Sequence, residues 1–256
     1  MIWGEVMDEL IRKAAEIIVK SHSLIALTGA GISVESGIPD FRSAGGLWDK
    51  YDPSVYAHID SFHRNPRMVW KMIFDMIDLT RNARPNSAHQ ALAELERRDF
   101  LKGLITQNID NLHQEAGSRN VIEFHGNAKH LECLNCPGRY EIDEFELKSE
   151  PPQCRSCGEI LKPSVIFFGE MIPQKALMES QVLSASADAI LVIGTSAVVY
   201  PASSIPYTAK QHGARVMEFN LERTGLTGVI SDIFIQGSVG ITLPLLVEEI
   251  EKLQQG

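Results

Sequence analysis

The sequence has no apolar run near the roughly 20 residues that a membrane-spanning helix needs, so we expect no transmembrane segment. The first 20 residues lack the unbroken apolar core of a secretory signal, because Arg12, Lys13 and Glu16 interrupt it. Positive charge is also scarce, since 24 Lys and Arg against 33 Asp and Glu give a net charge of −9, which argues against a duplex-binding protein. We therefore expect a cytoplasmic protein that binds no membrane and no nucleic acid directly.

Cysteine is equally scarce, and its four copies fall into two C-x-x-C pairs, Cys133 with Cys136 and Cys154 with Cys157. In a cytoplasmic protein, cysteines in this pattern are metal ligands more often than disulfides. The pairs are separated by 17 residues, which is the spacing of a zinc ribbon. Four thiolates complete the tetrahedral shell of Zn²⁺ and leave no position for water, so the predicted zinc is structural.

The chain also lacks the complete glycine fingerprint of dinucleotide-binding dehydrogenases. Gly29 and Gly31 follow the apolar run Leu24–Leu27, but Val34 stands where that fingerprint needs a third glycine. The two glycines predict either a tight turn into a helix or a close approach of backbone to a phosphate. The long polar segment from Ser33 to Arg42 favours the second interpretation, because such segments tend to carry function.

Small or polar residues follow five predicted strands, at Gly29, Gln107, His125, Gly194 and Asn220. In an open parallel sheet, ligands bind outside the carboxyl ends of the strands. The five positions, with helical stretches between many of the strands, predict a doubly wound α/β nucleotide-binding fold. His125 is a candidate general base, because the unperturbed pKa of histidine suits proton transfer near neutrality.

Three further segments have local predictions. Gly45–Tyr56 is rich in Gly, Asp and Pro and predicts a flexible loop, whereas 62–81 predicts one helix with an apolar, Met-rich face. Val165–Phe168 predicts either a core strand or an exposed edge that pairs with an extended peptide.

Assembled in order, these motifs resemble those of the sirtuin family, the NAD-dependent protein-lysine deacylases. The matching segments span nearly the whole chain: GAGISVESGIPDFRS at 29–43, TQNIDNLH at 106–113, HG at 125–126, the two C-x-x-C pairs, FFGE at 167–170, GTS at 194–196 and NLE at 220–222.

The resemblance implies a Rossmann-like NAD-binding domain formed by residues 1–47, 85–128 and 161–256. It implies a smaller domain made from a helical insertion, 48–84, and a zinc-ribbon insertion, 129–160. NAD and an acetyl-lysine protein or peptide would meet in the cleft between the two domains.

The resemblance also implies roles for individual residues. His125 would be the general base, with Asn108 as a second catalytic residue, and the peptide would lie as a strand against Val165, Ile166, Phe167 and Phe168. NAD would contact Gly29, Ala30, Gly31, Ser33, Asp40, Phe41 and Arg42, then Gln107, Asn108, Ile109 and Asp110, and with its adenosine half Gly194, Thr195, Ser196, Asn220, Leu221, Glu222 and Val239.

By analogy with the family, NAD is consumed as a co-substrate and transfers no hydride. The acyl oxygen of the substrate lysine attacks C1′ of the nicotinamide ribose, and nicotinamide leaves. His125 then draws a proton through the ribose hydroxyls, so that a ribose oxygen attacks the imidate carbon. The products are nicotinamide, free lysine and O-acyl-ADP-ribose. A dry, polar-lined pocket suits the oxocarbenium-like transition state of this reaction.

The acyl group is expected to be neutral. Desuccinylating members of the family carry a Tyr and an Arg three residues apart, and an ungapped alignment places Ile73 and Met76 at those positions. A carboxylate would lose its hydration there without gaining a partner. We therefore predict neutral acyl groups, either acetyl or a longer chain.

Three alternatives use some of the same features. Protein ADP-ribosylation would use the same NAD pocket. A zinc-ribbon nucleic-acid-binding module conflicts with the net charge of −9, and a dehydrogenase conflicts with the glycine spacing.

Overall fold

The computed structural model describes residues 2–41 and 46–255, with side chains from residue 5 onward. The helices are α1 Ile2–Lys20, α2 Leu47–Lys50, α3 Pro53–Tyr56, α4 Ile59–Arg64, α5 Pro66–Thr80, α6 Ser87–Arg97, α7 Leu112–Glu115, α8 Gln174–Ser186, α9 Ile205–Gln211 and α10 Val239–Gln255. The strands are β1 Leu24–Thr28, β2 Leu101–Thr106, β3 Val121–Glu123, β4 Gly126–Glu132, β5 Arg139–Glu141, β6 Lys162–Val165, β7 Ala189–Ile193, β8 Arg215–Asn220 and β9 Ile233–Gln236. Short 3₁₀ helices cover Ala30–Ser36, Ile142–Glu144 and Ala202–Ser204.

Six parallel strands form the main sheet, in the order β3-β2-β1-β7-β8-β9. Every residue of β1 and β7 is buried, which explains why both strands are unbroken apolar runs apart from the terminal Thr28. One face packs against α1, α6 and α10, and the other packs against α8 and α9. The prediction of a doubly wound α/β sheet is confirmed.

The strand order reverses between β1 and β7, since the chain runs outward from β1 to β3 and then returns to the other side of β1. Crossovers on opposite sides leave a crevice at this point, outside the carboxyl ends of the two strands. Gly29 follows β1 and Gly194 follows β7, so the fold brings together two of the predicted turns at the crevice.

A smaller unit lies beside the sheet. It combines α2–α5 with a three-stranded antiparallel sheet of order β5-β4-β6. Its core contains the fully buried Trp70 of α5, whose indole N–H donates a hydrogen bond of 2.9 Å to the Leu161 carbonyl. The small sheet begins at Gly126 and takes its edge strand from Lys162–Val165, on both sides of the predicted insertion 129–160.

Two local predictions about the helical insertion were wrong. The predicted helix over 62–81 is divided at Asn65, because Pro66 begins a new helix and the Asn65 side chain caps it by accepting from the Met68 N–H. The predicted loop 45–56 contains two one-turn helices, α2 and α3, and Asp52 caps the second. Gly45 itself lies outside the described residues.

Across residues 2–41 and 46–255, we find no helix with the length and apolarity needed to cross a membrane.

Candidate active site

A cleft of about 2130 Å³ lies at the crevice between the large sheet and the smaller unit. Arg42 was predicted to bind NAD but lies outside the described residues. Every other predicted cofactor, base and peptide residue lines this cleft: Gly29, Ala30, Gly31, Ser33, Asp40, Phe41, Gln107, Asn108, Ile109, Asp110, His125, Val165, Ile166, Phe167, Phe168, Gly194, Thr195, Ser196, Asn220, Leu221, Glu222 and Val239. Positions up to 210 residues apart in the sequence are thus brought to one cavity.

The two glycines after β1 allow their turn to touch the turn after β7. A Cβ on Gly29 would lie 2.7 Å from Thr195 Cβ, and one on Gly31 would lie 2.7 Å from the Gly194 carbonyl oxygen. The Gly31 N–H donates to that carbonyl at 2.8 Å, so it does not point freely at a phosphate. The following segment is a 3₁₀ helix, Ala30–Ser36, where the sequence predicted an ordinary helix turn. The glycine pair therefore serves close packing of two turns at the crevice.

Thr195 joins three strand ends. Its hydroxyl accepts from the Gln107 side-chain amide at 2.9 Å, and its carbonyl accepts from the Asn220 side-chain amide at 3.0 Å. Gln107 follows β2, Thr195 follows β7 and Asn220 ends β8. These bonds fix the polar floor of the cleft where the strands finish.

A second polar chain holds Asn108. Its side-chain amide donates to Ser33 Oγ at 3.1 Å, and Ser33 Oγ donates to the Asp110 carboxylate at 2.6 Å. The Asn108 backbone N–H donates to Thr106 Oγ1 at 3.1 Å. Asn108 is buried, and these bonds hold both its side-chain amide and its backbone N–H in the cleft.

Two buried histidines lie behind these hydrogen-bonded residues, and neither is predicted from the sequence to have a role. The rings of His89 and His113 are 4.8 Å apart between centroids, and His113 Nε2 lies 2.9 Å from Thr28 Oγ1. Burial lowers the pKa of His89 to about 4, against the opposing pull of Asp110, and lowers the pKa of His113 well below its usual value. The only sequence signal is Asn86 three residues before His89, which forms a capping box with it at the start of α6.

This pair predicts a loss of stability in mild acid. The unfolded chain binds a proton at His89 near pH 6.5, whereas the folded protein binds it only near pH 4. The free energy of unfolding should therefore fall as the pH drops from 6.5 to 4, by about 3 kcal/mol for His89. Urea unfolding at pH 7 and pH 4.5 would measure the fall, and His89→Gln should reduce it. Equal falls in both proteins would contradict this assignment.

His125 follows β3, and hydrogen bonds to both its ring and its backbone carbonyl hold it in place. Nδ1 lies 3.2 Å from the Gln107 carbonyl, so Nδ1 carries the proton and Nε2 is left as the basic nitrogen. Burial lowers the pKa of His125, and the bond to Gln107 opposes that shift. The imidazole is therefore neutral at pH 7, as a general base must be.

The glycine after His125 is required by packing. Gly126 has φ of +78°, and a Cβ there would lie 2.1 Å from the Ser164 carbonyl oxygen. The neighbouring Ile166 N–H donates to the His125 carbonyl at 2.9 Å. The HG pair thus places the histidine directly against the segment that continues β6.

The predicted peptide segment, Val165–Phe168, is only partly strand. β6 ends at Val165, and Phe168 forms an isolated bridge with His58. The Phe168 N–H donates to the Ala57 carbonyl at 2.8 Å, and its carbonyl accepts from the Ile59 N–H at 3.0 Å. The Phe168 backbone is therefore already paired within the protein. A peptide strand would have to use other backbone groups of the segment.

The four cysteines lie together at the end of the small sheet. Their sulfur atoms are all within 4.8 Å of one another, with Cys133 and Cys157 at 3.5 Å and Cys136 and Cys154 at 3.5 Å. A tetrahedral zinc with Zn–S bonds of about 2.3 Å needs sulfur atoms about 3.8 Å apart, which this cluster approaches. The Tyr140 hydroxyl lies 3.3 Å from Cys154 Sγ, where it can donate to the thiolate that zinc requires. The predicted closed zinc site is confirmed as a cluster able to hold the ion.

Both the sequence and the fold are similar to those of known proteins over nearly the whole chain. A sequence model of the Sir2 family matches residues 29–201. The chain is 49% identical over 252 residues to NAD-dependent protein deacylase 2 of Archaeoglobus fulgidus, with 97% of this chain and 99% of that protein covered. A solved Sir2 homolog–NAD complex superposes with a TM-score of 0.88 at 45% identity and covers 94% of each chain. A Sir2 protein bound to a myristoylated histone peptide superposes with a TM-score of 0.83 at 43% identity, covering 96% of this chain and 98% of that one.

Proposed function

The chain belongs to the Sir2 family, and we propose that it is an NAD-dependent protein-lysine deacylase that yields nicotinamide, O-acyl-ADP-ribose and free lysine. The observation that carries the proposal is the position of one neutral, half-buried imidazole, His125, in the same cleft as the Gly29–Gly31 turn. A relative that aligns over 99% of its length is a protein deacylase by name, and another binds NAD.

NAD would enter the cleft as a substrate whose nicotinamide–ribose bond is broken. The adenosine half would lie near Gly194–Ser196, Asn220–Glu222 and Val239, where Thr195 already joins the strand ends. The nicotinamide half would lie near Asn108 and Asp110, which Ser33 holds in place. Fixed amide and hydroxyl dipoles of this kind stabilise developing charge without reorganising.

Aromatic rings would exclude water from the reacting centre. Phe41 packs on Trp48 with ring centroids 5.0 Å apart, and Trp48 lies 6.4 Å from Phe168. These rings connect the proposed nicotinamide side with the proposed peptide side. His125 would then accept a proton from the ribose hydroxyls through Nε2, since its Nδ1 is engaged by Gln107.

An acylated protein or peptide is the second substrate in this proposal. A relative binds a myristoylated histone peptide, which supports an acylated peptide as the substrate. The peptide would lie near Val165–Phe168, which lines the cleft. Within the smaller unit, the part of the cleft beside α5 has a mostly apolar lining: Ile73, Met76, Ile77, Ile109, Ala128, Phe145 and Leu147. This lining would accept a long hydrocarbon chain.

Acyl selectivity is testable with matched peptides. Ile73 and Met76 offer a succinyl carboxylate no partner, although Arg81 and Arg84 also line the cleft. Transferring a carboxylate beside them would cost its hydration, so we expect acetyl and myristoyl peptides to turn over at least about tenfold faster than a succinyl peptide. Measuring kcat/KM for the three acyl groups on one peptide sequence checks this. Equal rates for succinyl and acetyl peptides would refute it.

The decisive experiment for the function is mass spectrometry of an acetyl-lysine peptide incubated with the protein, with and without NAD. We expect loss of the acetyl group from the peptide, with O-acetyl-ADP-ribose appearing, only when NAD is present. Transfer of label from NAD to protein without deacetylation would favour the ADP-ribosyltransferase alternative instead.

A further inference from the structure

One lysine of the small sheet is completely buried. The Lys162 side chain has no exposed surface, and its ammonium lies 4.9 Å from the centroid of the Phe167 ring. Its hydrogen-bond and ion-pair partners are the Val165 carbonyl at 2.8 Å, Glu170 at 3.1 Å, the Pro163 carbonyl at 3.2 Å and Glu132 at 3.3 Å.

This arrangement is poorly explained by stability alone. Removing an ammonium from water, with two carboxylates that stay partly exposed, is costly, and apolar side chains of similar volume often stabilise a protein as well or better. The charge does something that an apolar residue cannot do, because it fixes the positions of particular backbone and carboxylate oxygens. All of its partners except Glu132 lie in residues 163–170.

The partners of Lys162 close a network around the proposed peptide segment. Glu170 accepts both from the Lys162 ammonium and from the Phe167 N–H, the latter at 2.7 Å. Lys162 also holds the Val165 carbonyl, and the next residue, Ile166, donates to the His125 carbonyl. One buried cation therefore contacts Val165 directly and Phe167 through Glu170, on either side of the residue that bonds to the proposed base.

We infer that Lys162 is a positioning residue that holds Val165–Phe168 in the conformation that receives the acyl-lysine peptide. The inference rests on the proposed function, and it concerns peptide binding, with no change in NAD binding. NAD would contact the other side of the cleft, at Gly29–Gly31 and Gly194–Ser196, where Lys162 has no partner among the described residues.

The test separates the two substrates by their KM values. In Lys162→Met, the two carboxylates lose their cation and the segment shifts, and a misplacement of about 1 Å can cost up to about 10²-fold in rate. We expect the KM for an acetyl-lysine peptide to rise at least about tenfold and the KM for NAD to stay within about twofold. Lys162→Arg keeps the charge and the donors and should restore most of the peptide affinity.

Trp70→Phe is the matched control, because it removes a buried hydrogen bond to the neighbouring Leu161 and no hydrogen bond to the peptide segment. It should lower the melting temperature and leave the peptide KM unchanged.

If Lys162→Met does not fold, Glu170→Gln should also raise the peptide KM more than the NAD KM, by a smaller factor. An unchanged peptide KM in a folded Lys162→Met, or equal increases in both KM values, would overturn the inference. Absence of deacylation by the unmodified protein would instead refute the proposed function.

Discussion

Replacement of His125 by alanine is expected to lower the rate of product formation by about 10²–10⁴-fold, because a positioned general base contributes an effect of this size. The imidazole is neutral, its Nδ1 is engaged by the Gln107 carbonyl, and it lines the cleft with the predicted NAD residues. Within the described residues, the two buried histidines, His89 and His113, are engaged with Ser33, Asn86 and Thr28.

The proposed order of steps predicts a different loss of rate for each product. Nicotinamide leaves before the base is needed, so a single turnover of His125→Ala should release nicotinamide with a smaller loss of rate than it forms O-acetyl-ADP-ribose. Quenched-flow measurement of both products, with zinc content determined on the same sample, would separate the steps.

His63→Ala provides the control, since His63 is exposed on α4 and does not line the cleft. It should retain full activity. The assignment of His125 would be wrong if product formation in His125→Ala remained close to that of the control, or if the variant had lost its zinc.

Loss of zinc is expected to have the largest effect on stability. Cys133 and Cys154 are buried in the same cluster as Trp70, Phe62 and Leu131, so the ion would hold the core of the smaller unit. Structural zinc contributes on the order of 10 kcal/mol in small zinc domains, which is comparable to the roughly 5–15 kcal/mol that stabilises a whole domain. Cys136→Ser should therefore unfold the small sheet and abolish peptide binding.

Zinc release, followed with a colorimetric chelator during thermal unfolding, would measure this effect. Asn135→Ala is the matched control, because Asn135 lies between two ligands and only its backbone N–H contacts a sulfur, Cys133 Sγ at 3.4 Å. The control should bind one zinc per chain and unfold as the unmodified protein does. A zinc-free Cys136→Ser protein with the same melting temperature would contradict a structural role for the metal.

Local patterns were sufficient to predict the main sheet and the zinc cluster. Leu24–Leu27 and Ala189–Ile193 are apolar runs of the kind that a strand covered on both faces buries, and all residues of β1 and β7 are buried. The cysteine spacing alone indicated which four sulfurs meet. Signals of this kind depend on neighbours in sequence, and tertiary packing does not change them.

Other features could not be predicted, because they depend on residues far apart in the chain. Asn65 and Pro66 looked compatible with one long helix, yet the chain turns there to pack α4 and α5 separately. Lys162 would be assigned to the surface from its type alone, and its burial depends on Glu132 and Glu170 reaching it from β4 and from the turn after Phe168.

By itself, the sequence determined the fold class, the zinc ligands and the candidate base, because each follows from residue type and short-range spacing. Only the tertiary structure decided that Gly31 packs on Gly194, that His89 and His113 are buried neutral, and that Lys162 holds the segment beside His125. The physical reason is that burial and close approach depend on which distant segments meet, and these set the pKa values and side-chain positions on which the proposed chemistry depends.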